Sequence, residues 1–153
     1  LQPTETLSFS ARHGYEMEAS AGEVAPQALR YTVEAGRLVP LHAFAAGKAI
    51  LATFDEEELE RYLAAVPLTA FTPQTVVSKA VLRRELEQIA RSGIARTGEE
   101  YTPGIIGIGH AVFSGGMLLG AISAAIPVAR TTPALEERAA ILIAQAAEAL
   151  GRR

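Results

Sequence analysis

The chain has 153 residues, enough for one domain around one hydrophobic core. Hydrophobic residues make up 49% and charged residues 20%, with a net charge of −3; Arg83-Arg84 is the sole adjacent internal Lys/Arg pair, which excludes a basic nucleic-acid-binding stripe. The absence of cysteine excludes disulfides, thiolate metal sites and thiol catalysis.

No apolar run approaches the roughly 20 residues that a membrane-spanning helix needs. The opening LQPTETLSFS has no basic start followed by an apolar core, so the expectation is a cytoplasmic protein without a membrane partner. The chain opens directly on a strand-like segment, which suggests a piece of something longer.

In chain order, Thr6 to Ala11 and Tyr15 to Ala21 alternate apolar and polar residues, the period of half-buried strands. His13-Gly14 between them marks a hairpin turn. Ala28 to Val33 is a third candidate strand, and Gly36 and Pro40 then break the chain. Ala43 to Thr53 is rich in Ala, Ile and Leu and fits a short helix. Asp55 caps the next one, with Glu58 as its capping-box partner and Leu59, Leu63 and Val66 as its apolar stripe.

Pro67 to Pro73 reads as a connector. Ser78 is placed to cap a third helix that buries Leu82, Leu86, Ile89 and Ala90 and ends at Gly93. Ile94 to Glu100 is strand-like and Pro103-Gly104 a turn. Ile105 to Phe113 and Met117 to Ile126 form a hairpin about Gly115-Gly116. Thr132-Pro133 opens a last helix with Leu135, Ala139, Leu142, Ala146 and Leu150 on its buried face. Strands, helices, a hairpin and a terminal helix in that order describe an α+β domain, a largely antiparallel sheet with helices packed on it.

The motifs exclude more chemistry than they support. LHAFAAGKAILA contains Gly-Lys, but a phosphate-binding loop needs glycine at the position of His42 and a hydroxyl at the position of Ala49. His13, His42 and His110 form no metal-binding pattern. Their ordinary readings are a solvated turn residue, a local hydrogen bond before a helix and a satisfied core histidine. Serines occur at Ser114 and Ser123 without a nucleophile elbow, which leaves Ser123 with His110 as the one hydrolase pair to test. Glu99-Glu100, as strand neighbours, point to opposite faces and do not suit one acid–base couple. The expected arrangement is one exposed carboxylate and one bonded to a backbone amide or a basic side chain. No metal or cofactor is implied.

Glycine inside a strand is costly unless something needs the space. Gly107, Gly109, Ala111 and Phe113 share one face of their strand, and Ser123 and Ala125 share a face of its partner. Opposed small residues leave a hollow for a helix or a ligand.

Five segments, in order, resemble the IclR family of bacterial transcription regulators: PQALRYTVEAGRLVPLHA, PLHAFAAGKAILA, LTAFTPQTVVSKAVLRRELEQIARSG, GIARTGEEYTPGIIGIGHAVF and GAISAAIPVARTTP. The resemblance covers nearly the whole chain. It implies that residues 1–153 form a GAF-like effector-binding domain that senses a small carboxylate. It further implies homodimers or homotetramers, and DNA contact through a separate N-terminal winged-helix domain.

Carried over position by position, the pocket would comprise Ala28, Tyr31, Val39, Ala45, Ala46, Thr97, Ile105, Gly107, Ser123 and Ala125. The amides of Ala45 and Ala46 are placed to hold an anion, and Lys48 matches the family's lysine. Thr97, Gly107 and Ala125 stand where an acid, a cysteine and a hydroxyl are common. These departures imply a larger, less polar pocket suited to an aromatic or partly apolar acid, unless Phe44 packs against Gly107 and fills the space. The alternatives are a hydrolase using Ser123 and His110, and a dimerisation module with a closed pocket.

Overall fold

A computed structural model describes residues 6–19 and 37–152. The candidate strand Ala28 to Val33, Gly36, and the candidate site residues Ala28 and Tyr31 lie outside the described residues. Six strands are described: β1 (Thr6–His13), β2 (Glu16–Ala19), β3 (Leu38–Pro40), β4 (Ala95–Gly98), β5 (Ile105–Ser114) and β6 (Met117–Pro127). They form one sheet in the order β3-β2-β1-β6-β5-β4, with every neighbouring pair antiparallel. Four helices accompany them: α1 (Ala45–Leu51), α2 (Glu56–Ala65), α3 (Lys79–Ser92) and α4 (Pro133–Gly151). The expected α+β class with a largely antiparallel sheet is what the chain adopts.

Local chemistry sets the element ends. Asp55, Ser78 and Thr132 each accept a backbone N–H three residues on, from Glu58, Val81 and Leu135. Gly93 closes α3 in the left-handed conformation at φ 81°. The capping box at Asp55 is only half formed. The Glu58 carboxylate turns instead to Arg12 and Arg61, whose guanidinium groups draw its pKa down.

Several sequence expectations need correction. Pro40 does not break the chain but ends β3, an edge strand where a missing N–H is tolerated. Ala90 is exposed, so α3 buries only Leu82, Leu86 and Ile89. Helix α4 buries Leu135, Ala139, Ile143 and Ala147, while Leu142 is exposed and Ala146 and Leu150 are half-buried. A bulge between Val112 and Phe113 takes Phe113 out of register, and it is exposed rather than facing the hollow.

The two faces of the sheet are built differently. Ile106, Ile108 and Ile126 pack with Leu135 and Ala139 of α4, and Val112, Ile122 and Ala124 pack with Ile143 and Ala147. Burying each isoleucine contributes about 1.5–3 kcal/mol. The intervening residues, Gly107, Gly109, Ala111, Ala121, Ser123 and Ala125, face α1. Helix α1 has seven residues, all buried, too short to persist without tertiary packing. Its Gly47 lies directly on the Leu41 carbonyl, where a Cβ would collide.

Candidate functional site

A cavity of about 280 Å³ lies between the start of α1 and the sheet. The sheet face supplies its floor. Antiparallel register aligns Thr97 with Gly107, Gly107 with Ala125, and Ser8 with Ser123. The same face continues through Ser10 to Ala19, and through Met17 to Val39 on β3. The roof is Ala43, Phe44, Ala45 and Ala46, and the rim is Arg37, Glu100, Tyr101, Thr102 and Ile105.

Eight of the ten sequence-derived positions therefore border one cavity: Val39, Ala45, Ala46, Thr97, Ile105, Gly107, Ser123 and Ala125. Sequence reasoning missed Ser8, Ser10, Met17 and Ala19, as well as the rim residues Arg37, Glu100, Tyr101 and Thr102. Strand alternation was the available signal for Ser8 and Ser10, whose polar face normally points to solvent.

The glycines serve the helix as well as the cavity. A Cβ on Gly109 would stand 2.8 Å from the Ala45 carbonyl carbon and 2.9 Å from the Ala46 nitrogen. A Cβ on Gly107 would stand 2.6 Å from Thr97 Oγ1 and 3.1 Å from Ala45 Cβ. The space expected from glycine at 107 is thus largely occupied by Thr97 and Ala45, not by Phe44. The Phe44 ring instead packs on Tyr101, centroids 4.3 Å apart, and Tyr101 packs on Phe71 at 4.8 Å. Ser8, Ser10, Thr97, Thr102 and Ser123 bring hydroxyls to the cavity.

The first intrahelical bond of α1 runs from the Lys48 N–H to the Phe44 carbonyl. The amides of residues 45–47 precede it and have no acceptor within the helix. They point toward the end of α1 that roofs the cavity. Lys48, one turn on, has a fully buried side chain and does not border the cavity. Its Nζ bonds Glu85 Oε1 of α3 at 2.5 Å and Glu100 Oε1 at 2.6 Å. The Gly-Lys of the sequence is therefore a buried ionic tie between α1, α3 and the end of β4.

Both carboxylates of Glu99-Glu100 are engaged. Glu99, at φ 55°, accepts the Gly104 N–H at 2.9 Å, and Glu100 Oε2 accepts the Gly98 N–H at 3.2 Å. His42 is buried and its bond is not local. Its Nε2–H donates to the Thr69 carbonyl at 2.9 Å, across the connector. Nδ1 then carries a lone pair with no partner among the described residues. Burial pushes the His42 pKa down, which keeps the ring neutral.

The Ser123–His110 pair does not assemble. Ser123 aligns with Gly109 on the cavity face, whereas His110 aligns with Ile122 on the α4 face and lies against Gly93. Its Nδ1–H donates to the Ala111 carbonyl at 2.7 Å. Among the described residues no group of three or more His, Cys, Asp or Glu is placed to hold a metal ion, and no helix is long and apolar enough to cross a membrane.

Residues 1–152 match the family model described as "Bacterial transcriptional regulator IclR C-terminal". The chain is 34% identical over 134 residues to the HTH-type transcriptional repressor AllR of Klebsiella pneumoniae, covering 87% of this chain and 49% of that protein. It thus spans about half the length of the curated relatives it matches. The IclR structure from Thermotoga maritima aligns with TM-score 0.91 and 30% identity, over 98% of this chain and 63% of that one. A double mutant of the PobR inducer-binding domain from Acinetobacter, in complex with 3-hydroxybenzoic acid, shares the fold at TM-score 0.87 and 23% identity, over 96% of this chain and 87% of that one. An antiparallel sheet roofed by a short helix over a hydroxyl-lined cavity, and a match along the chain from residue 1 to 152, place it in the IclR C-terminal domain family.

Proposed function

We propose that this domain senses a small carboxylate metabolite and that, in a longer regulator, ligand binding changes operator affinity. The observation that carries the reading is the cavity between α1 and the sheet. At about 280 Å³ it lies just below the roughly 300–1,000 Å³ range of small-molecule sites, which favours a compact ligand. Its amides and hydroxyls can bond a carboxylate without any proton transfer. The Ala45 and Ala46 amides would hold the anion, with Thr97 and Ser123 as side-chain partners. Met17, Ala19, Val39, Ala43 and Ile105 offer apolar surface to the ligand's body. The PobR domain, of the same fold, is in complex with 3-hydroxybenzoic acid, which supports a small-acid ligand for this domain.

Three further proposals accompany this one. DNA contact belongs to a winged-helix domain N-terminal to this one, the domain associates as a homodimer or homotetramer, and it works in the cytoplasm. Analytical ultracentrifugation tests the second: a monomer at all concentrations would refute it.

The primary test is thermal unfolding against a panel of aromatic and aliphatic carboxylates. A ligand bound only by the folded state adds about 2.7 kcal/mol at a hundredfold excess over Kd. Ser123→Leu, which fills the floor, should abolish that shift while leaving the ligand-free protein folded. No shift with any acid would refute carboxylate sensing by this domain.

A further inference from the structure

We infer that Ser8 and Ser10 of β1 form a hydroxyl-recognising subsite, and that the sensed acid carries alcohol groups along its carbon chain. The inference rests on the sensor reading and narrows its ligand class.

Four serines and threonines are buried among the described residues: Ser10, Thr72, Thr75 and Thr97. Thr72 and Thr75 lie away from the cavity, and both are bonded. The Thr72 hydroxyl donates to the Glu99 carbonyl and accepts the Gln74 N–H. The Thr75 hydroxyl donates to the Glu100 carbonyl and accepts the N–H groups of Phe71 and Thr72. Ser10 and Thr97 border the cavity, and their hydroxyls have no partner among the described residues; the same holds for Ser8 and Ser123 beside them. A buried hydroxyl without a partner is costly. The unpaired side-chain atoms that are sealed in are His42 Nδ1, Tyr62 Oη and Arg130 Nε, whereas the Ser10 and Thr97 oxygens open into the cavity. Whatever fills the cavity is therefore what pairs them.

Position decides which chemistry that is. Strand β1 turns Leu7 and Phe9 toward the α4 core and Ser8 and Ser10 toward the cavity. Ser8 stands opposite Ser123 of β6, and Ser10 follows about 7 Å along the strand. Ser10 is flanked by Ala19 on β2 and Ala121 on β6, so its neighbours in the sheet bring no charge. A carboxylate placed there would exchange water for neutral hydroxyls alone, which disfavours it. A serine hydroxyl both donates and accepts, and an alcohol on the ligand matches it in both roles. An alkyl or aromatic body over β1 would instead leave both serines covered and unpaired. The ligand's carboxylate thus belongs to the rest of the lining, and its hydroxylated end lies over β1.

Titration calorimetry on this chain tests the assignment with gluconate against hexanoate and threonate against butyrate, pairs matched in carbon number and charge. The expected result is tighter binding of the hydroxylated member of at least one pair. Ser8→Ala and Ser10→Ala should each cut that preference about two- to tenfold, the worth of one neutral hydrogen bond. Ligand-free stability separates recognition from a structural role. Ser10→Ala deletes an unbonded hydroxyl and should not lower the melting temperature, whereas Thr75→Val deletes a bonded one and should. A Ser10→Ala protein destabilised as far as Thr75→Val overturns the proposal, and so does an equal loss of affinity for both members of a pair. A plain acid that binds as tightly as its hydroxylated counterpart also overturns it and leaves the sensor reading intact. Silence with all four acids overturns the hydroxylated ligand and counts against the sensor reading as well.

Discussion

The same strands serve a dry core on one side and a cavity on the other. Toward α4, β5 presents Ile106, Ile108 and Val112, and β6 presents Ile122, Ala124 and Ile126. Toward α1, the alternate residues are glycine, alanine and serine. The α4 face gains stability from apolar area. The α1 face gives that up for close backbone approach, hydroxyls and a buried ionic tie. A sheet covered on both sides has no solvent face, so the polar half of each alternation becomes the lining of a site.

This contrast can be broken from either side. The largest effect should follow Lys48→Met, which strands the buried Glu100 carboxylate; loss of one partner of such a pair costs about 3–5 kcal/mol. Chemical denaturation would read it, and a loss below 1 kcal/mol would mean that water reaches Glu100. On the opposite face, Ile126→Ala should cost about 2–5 kcal/mol through lost transfer energy and a cavity, while ligand affinity stays unchanged. Altered affinity there would show that the two faces are coupled.

Gly109→Ala should cost about 1–3 kcal/mol by overpacking, because the new methyl meets α1 backbone rather than a movable side chain. It should also weaken ligand binding by displacing Ala45 and Ala46; unchanged binding would separate the helix from the site. The smallest effect concerns His42. Its folded pKa lies below 6.5, so below about pH 6.5 the unfolded chain binds more protons than the folded one. Stability therefore falls as pH drops from about 6.5 through the folded pKa. His42→Gln, which keeps a donor for Thr69, should flatten that part of a melting-temperature profile, and a superimposable pair of profiles would exclude His42 as the cause.

Local rules made much of this legible. Caps at Asp55, Ser78 and Thr132, the glycine stop at Gly93 and the hairpin at Gly115-Gly116 each depend on neighbouring residues alone. Strand alternation located the hollow between β5 and β6. What failed depended on partners distant in sequence. Ile141-Leu142-Ile143 offers two nearly equal apolar stripes, and only docking on β5 and β6 selects Ile143. Ser8 and Ser10 look solvent-facing until their side of the sheet is known to border a cavity. Lys48 carries no mark of its tie to Glu85 and Glu100, 37 and 52 residues away. Arg37 and Tyr101, 64 residues apart, meet only because two segments converge at the rim.

The contact of Gly109 with α1 constrains how this domain can acquire new specificities. That position is closed to larger residues, since any side chain meets α1 backbone and lifts the roof off the floor. Variation is open instead at Ser8 and Val39, which border the cavity from strands that do not hold the helix. Divergence among such sensors should therefore be written on the β1–β3 side of the sheet, with Gly109 held fixed. A saturation library sorted for folded protein would display that asymmetry as broad tolerance at residues 8 and 39 and near-complete intolerance at 109.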